Sequence, residues 1–179
     1  MNQEWHKEKT LKIRKSRPED EDTIMRIFAL ARDYMVAHGN KMQWTNGYPG
    51  KELLHQDILG GNSYVFEKNR KIIGTFTFLI GAEPTYQRIE DGAWHADKPY
   101  GTIHRLASDG TARGIAKACF SFCSGRIDYL RIDTHKDNLT MQGAIEAFGF
   151  QKCGTIFVRD GTKRIAYDYF VPLVRRNMT

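Results

Sequence analysis

A mixed α/β (α+β) domain is the fold class this sequence predicts: a twisted, mostly antiparallel sheet of six to seven strands, with about four helices over both faces. Three observations predict it. Strand-type and helix-type stretches run strand, two helices, a three-strand meander, helix, strand, helix, two strands. Runs of strands with helices interleaved late build such a sheet. Residues 100–134 read as strand, helix, strand, a crossover that makes its two strands parallel or separated neighbours, with a right-handed connection. Asp160-Gly161, between two strand-type runs, is a strong hairpin signal and makes the last pair antiparallel. The chain has 179 residues, enough for one domain with a sizeable core, read as residues 10–174 behind a polar tail, 1–9.

Leu11 to Lys15 alternates and reads as the first strand. Pro18 and a run of acids then open a helix whose stripe is Ile24, Ile27, Phe28, Ala31 and Met35, stopped near Gly39. The loop that follows, Met42 to Pro49, carries Trp44 and Tyr48, which either anchor it or wall a pocket. Lys51 to Leu59 is a short helix. Tyr64 to Glu67 and Lys71 to Ile80 are antiparallel partners turned at Asn69. Glu83-Pro84 ends that pair, and residues 84–99, with Tyr86, Trp94 and His95, form a long irregular stretch, a lid or a surface insertion. Strand 100–107, helix 112–124 and strand 129–134 follow, with Ile115, Ala118, Cys119, Phe122 and Cys123 facing the sheet. Asp137 or Asn138 caps a helix over 138–148, striped by Met141, Ile145 and Phe148. Gly143 inside it costs about 1 kcal/mol against Ala, which suggests a close approach by ligand or backbone. Strands 150–158 and 163–171 complete the order.

Composition narrows the function classes. Charged residues at 27% and hydrophobic ones at 41% describe a globular domain rather than a disordered chain. No apolar run approaches the ~20 residues that span a bilayer, and the polar N-terminus lacks a signal-peptide core, so a cytoplasmic protein without a membrane partner is expected. The net charge of +6 is scattered over several turns and both ends, with no aromatic-interleaved basic helix. That points away from nucleic acid and toward a solvated surface that attracts an anionic cofactor. Three cysteines make no disulfide framework. Cys119 and Cys123 share a helix face as small apolar residues, with no matching ligand pair for a metal, so no metal is expected.

The chain is organised around Tyr100 to Ala118. A strand ends in the turn Ser108-Asp109-Gly110-Thr111, and Ala112, Gly114 and Ala116 leave the backbone at the helix start almost bare. The first N–H groups of a helix lack intrahelical partners, the dipole adds positive charge, and Arg113 adds a formal one. This is an anion site suited to a phosphate or pyrophosphate.

Thr111-Ala112-Arg113-Gly114-Ile115-Ala116 resembles the acyl-CoA pyrophosphate loop of the GNAT superfamily of N-acetyltransferases. That loop usually reads Arg or Gln, two residues, Gly, one residue, then Gly or Ala. Gly114 and Ala116 match, while Thr111 stands where Arg or Gln is usual. Gln43-Trp44-x-x-Gly47-Tyr48-Pro49 is similar to a stretch in one bacterial branch that covers the acceptor side of the cleft. Asn138, with Phe148-Gly149-Phe150, resembles the late motif, and the element order is that of the GNAT fold. The resemblance implies acetyl-CoA as co-substrate, held by residues 111–116 and, along the pantetheine arm, by Leu106, Ala107 and Asn138. It also implies splayed central parallel strands and an acceptor near Trp44 and Tyr48. The residues carry their own hint of the splay: Ile103 and Leu106 break strict alternation, and a bulge near His104-Arg105 restores the phase.

Acetyl transfer to an amine needs a base, an oxyanion stabiliser and relief of the thiolate. His104, with an ordinary pKa of about 6.5, and Asp133, at a strand's carboxyl end, are the candidate catalytic residues. His135 is a third. The plain alternatives are a hydrogen-bonded, semi-buried His104 and an Asp133 paired with Arg105 or Arg131. Ile145 stands where many family members carry an acidic Tyr, which leaves Tyr100, Tyr167, water or unassisted departure. The expected function is direct transfer of acetyl from acetyl-CoA to a primary amine. The alternative is an acyl-CoA-binding sensor, motivated by Thr111 and Ile145. A homodimer is compatible with the sequence.

Overall fold

The structure is a computed structural model and describes residues 10–172. The polar tail 1–9 lies outside the described residues, as do 173 and 174 at the other end of the expected domain. Among the described residues eight strands form one sheet: β1 (Lys12–Lys15), β2 (Ser63–Lys68), β3 (Lys71–Ile80), β4 (Ile89–Glu90), β5 (Gly101–Ser108), β6 (Tyr129–Thr134), β7 (Gln151–Phe157) and β8 (Lys163–Phe170). Their order across the sheet is β1-β2-β3-β5-β6-β8-β7-β4. Every neighbouring pair is antiparallel except β5–β6, which the crossover makes parallel.

Among the described residues four α-helices cover the sheet: α1 (Glu21–Ala37), α2 (Lys51–Leu59), α3 (Ile115–Ser124) and α4 (Leu139–Phe148). Strand alternation assigns the faces. On β2, Phe66 joins the core beneath α3 and α4 with Phe76, Ile115, Phe120, Leu130 and Ile145. Its neighbour Val65 points the other way and packs with Ile24, Ile27, Phe28, Leu54 and Ile58 of α1 and α2. Among the described residues no helix is long and apolar enough to cross a membrane.

The sheet exceeds the expected six to seven strands because residues 84–99 are not wholly irregular. They dock on the sheet rather than stand off it. Tyr86 is fully buried with Cys153, Ile156 and Ala166, and Trp94 packs against that group. The Trp94 indole N–H donates to the Tyr86 carbonyl at 2.9 Å. Two glycines allow β4 to lie this close to β7. A Cβ on Gly92 would sit 2.0 Å from the Cys153 carbonyl oxygen, and one on Gly154 would sit 2.5 Å from that of Glu90.

Three local expectations need correction. The third helix begins at Ile115, not at 112, because Gly114 holds a left-handed φ of +78° and the residues before it form a turn. Its buried face also includes Phe120, which meets Phe148 and Phe150 at ring distances of 5.3 and 5.1 Å, since α4 and β7 cover that flank. Gly143 has no close approach from the protein: a Cβ there would meet nothing within 4 Å.

The expected bulge is present. Thr75 pairs with Ala107 and Thr77 with His104, so Arg105 and Leu106 together oppose Phe76. Arg105 takes a left-handed φ of +54° to make that step. On its other edge β5 pairs with β6 only from Gly101 to Ile103, opposite Leu130 to Ile132. Beyond those residues the two parallel strands part.

Candidate active site

The parted strands open a cleft of about 1470 Å³, lined by the bulge, Asp133 at the end of β6, the turn after β5, and residues from α1, α2 and α4. Of the sequence-predicted site residues, Trp44, Tyr48, His104, Leu106, Ala107, Ala112, Arg113, Asp133 and Asn138 all line it. Thr111, Gly114, Ile115 and Ala116 are not in its lining.

The N-terminus of α3 follows directly on the lining residues Ala112 and Arg113. Gly114 is its N-cap and no side chain caps it. The first-turn amides of Ile115 and Ala116 therefore keep their donors for a guest. The start of α4 contrasts with this, because Asn138 Oδ1 accepts from the Met141 amide at 3.1 Å. Thr111 is engaged elsewhere: its amide and hydroxyl both donate to Asp109 Oδ1, at 2.9 and 2.6 Å.

Deeper in, both candidate catalytic residues have a partner that the sequence did not indicate. His104 Nε2 lies 3.2 Å from Glu83 Oε2, with side chains 17% and 16% exposed. The hydrogen bond from His104 outweighs burial and holds the Glu83 carboxyl down at about 2. Asp133 Oδ1 accepts from the Tyr86 hydroxyl at 2.7 Å. Burial, then the Asp133 charge, pushes the Tyr86 phenol well up, so the proton stays on the tyrosine and Asp133 remains an acceptor. The plain alternatives for Asp133 therefore fail. Arg105 reaches Asp57 instead, at 2.6 Å. Arg131 stacks between Trp94 and Tyr100, 4.1 and 3.9 Å from their ring centres, and donates to the Ala96 carbonyl. His104 is semi-buried and hydrogen-bonded, as its own plain alternative held.

His135 is buried away from the cleft lining, and burial, then the Arg164 charge, holds its imidazole below the ordinary value. Neither Tyr100 nor Tyr167 reaches the cleft. The Tyr100 hydroxyl accepts from the Glu83 amide at 2.9 Å, and Tyr167 donates to Glu146 at 3.3 Å. The tyrosines that do line it are Tyr34 and Tyr48. Cys119 and Cys123 lie on the buried face of α3, fully buried and outside the lining, so neither is placed to take up an acyl group from the cleft.

The loop between α1 and α2 spans the cleft. Trp44 packs edge-on against Phe28 and Tyr48, with ring centres 5.5 and 6.2 Å away, so it both anchors the loop and walls the cavity. Gln43 ties the loop across to the β6 side. Its Oε1 accepts from Asn40 Nδ2 and Asn138 Nδ2, each at 2.8 Å, and its carbonyl accepts from Arg164 Nη2 at 3.1 Å. Both ends of the Asn138 amide are thus committed to the protein, to the α4 amide and to Gln43.

This fold recurs in solved structures. A GNAT-family acetyltransferase from Streptococcus agalactiae is 30% identical, with a TM-score of 0.83, over 90% of this chain and 96% of that one. The chain belongs to the GNAT family of acetyltransferases. A Staphylococcus aureus protein assigned as an acetyltransferase is 25% identical over 89% of this chain and 99% of that one, with a TM-score of 0.66. A GNAT-family acetyltransferase from Listeria monocytogenes, 18% identical with a TM-score of 0.68 over 90% of this chain and 95% of that one, shares the fold. No family model and no curated protein matches the sequence.

GNAT acetyltransferases use acetyl-CoA as co-substrate. The features here fit an acyl-CoA: an uncapped helix start for a diphosphate and an unpaired β5 edge facing the gap. Away from the cleft, His95, Cys153 and Asp168 bring one ligand atom each within 4.8 Å of one another. Asp168 accepts from His95 Nδ1 at 2.8 Å and from the Tyr129 hydroxyl at 2.7 Å, and burial pushes the Cys153 thiol up to about 12. That pattern is a self-satisfied hydrogen-bond cluster with the thiol protonated.

Proposed function

We propose that this GNAT protein transfers acetyl from acetyl-CoA directly to a primary amine, with His104 as the base. The observation that carries the reading is the position of His104: it sits at the bulge where β5 leaves β6, inside the cleft, backed by Glu83. Acetyl-CoA would be held at Ala112 to Ala116 and along the open β5 edge at Leu106 and Ala107. Arg113 adds charge at the cleft mouth, and Trp44 and Tyr48 wall the acceptor side. The amine arrives as an ammonium and meets Asp133, whose carboxylate Tyr86 fixes in place. His104 takes the proton, and Glu83, a positioning residue, stabilises the imidazolium that results. The C–N bond forms, the C–S bond breaks, the nitrogen sheds its second proton to solvent, and the leaving thiolate takes up a proton from solvent. A CoA thiol resembles that of Cys, about 8.5, so this departure needs no dedicated acid.

A thermal-shift titration with acetyl-CoA, then CoA release against an amine panel, tests the reading. General bases contribute about 10²–10⁴-fold, so His104→Gln should lose activity in that range while still binding acetyl-CoA. Turnover within threefold of the parent in both His104→Gln and Asp133→Asn removes both residues from the chemistry. An absent acetyl-CoA shift removes the whole reading.

A further inference from the structure

Arg164 is a buried cation without an anion. Its residue is 5% exposed and lines the cleft. Its guanidinium donates to three neutral oxygens: Thr162 Oγ1 at 2.8 Å, the Lys163 carbonyl at 3.0 Å and the Gln43 carbonyl at 3.1 Å. It forms no ion pair among the described residues, whereas half-buried Arg105 pairs with Asp57 and buried Arg131 lies against the rings of Trp94 and Tyr100. Asp160 is near enough to feel the charge, but it is exposed and spends its Oδ1 on Thr162. Arg164 instead helps to keep His135 uncharged, and exposed Arg159 adds a second cation to the same wall. Burying an unpaired charge costs several kcal/mol, so a cleft that keeps one is built for an anionic guest.

The sheet register says which guest. Asp133 pairs with Ala166, and Arg164 is two residues along β8, so all three share the acceptor face. At a rise of about 3.3 Å per residue, Arg164 stands about 7 Å along the strand from the position facing Asp133. We propose that the acceptor is an amino acid with a free carboxylate: Arg164 receives the carboxylate while the amine is presented to Asp133 and His104. The planar guanidinium fork suits a carboxylate, and about 7 Å suits an amine and a carboxylate separated by one or a few carbons. This rests on the acetyltransferase reading above.

The test is CoA release with matched acceptors: L-amino acids, their carboxamides and their decarboxylated amines. The parent should favour the acids at least tenfold in kcat/KM. Arg164→Gln and Arg164→Lys should cut that preference below threefold, by raising KM for the acids more than for the amides. A role limited to holding Gln43 would slow acids and amides alike. Amides used as well as acids by the parent overturn the carboxylate subsite and leave acetyl transfer standing, a comparison that needs no variant to fold. No release with any acceptor, and no acetyl-CoA shift, brings down the underlying reading and this one with it.

Discussion

Removing Asp57 should expose how the bulge is held. Arg105 takes a left-handed φ that costs a non-glycine residue about 1 kcal/mol or more, and its side chain is only 10% exposed. Burial works against its charge. Tyr48 and Asp57 more than offset that, so the guanidinium sits above its usual value. Its Nη2 donates to Asp57 Oδ2 at 2.6 Å, and the same oxygen accepts from the Thr77 hydroxyl at 3.1 Å. Asp57→Ala leaves a buried guanidinium with hydroxyls alone, a change of the kind that costs about 3–5 kcal/mol. In a protein of this size each kcal/mol moves Tm by about 2–4 °C, so a fall of about 6–20 °C is expected. Urea unfolding of Asp57→Ala, Arg105→Met and the double variant forms the cycle. The double variant should recover much of the loss, because no lone charge remains. Activity should fall further than the lost stability explains, since His104 and Leu106 flank the bulge residue. A loss below about 1 kcal/mol in Asp57→Ala, or strictly additive single variants, would refute the pinning argument.

Four further outcomes are expected. Glu83 has its folded pKa lowered from 4.5 to about 2, so its contribution is full above pH 4.5 and is lost as pH falls toward 2. Glu83→Gln should flatten that acid limb by about 1–2 kcal/mol after solvent screening, read by denaturation across pH. His135 acts in another window: its lowered pKa means the unfolded chain takes up the proton first, so stability starts to fall as pH drops below 6.5, and His135→Gln should remove that limb. Gly143→Ala should gain about 0.5–1 kcal/mol in thermal or urea unfolding, because open space surrounds the site and the helix loses its most flexible residue. Gly114→Ala should lose about 1 kcal/mol and weaken acetyl-CoA binding in calorimetry, since φ of +78° favours glycine there and strain at the N-cap would shift the first amides of α3.

What the sequence by itself determined was what acts at short range. Element order and the bulge were legible because side-chain periodicity and its breaks are local, down to the phase slip between Ile103 and Leu106 that Arg105 absorbs. The α3 loop was legible in kind but not in bounds: bare residues 112–114 look helical until Gly114 takes its left-handed turn. The tertiary structure alone decided who partners whom in the cleft. Glu83 and His104 are 21 residues apart, Tyr86 and Asp133 47, Asp57 and Arg105 48, and Gln43 and Arg164 121. Pairings over such separations depend on where each loop folds back. No spacing rule along the chain foretells which carboxylate meets the histidine, or that one buried arginine is left facing the cleft without an anion.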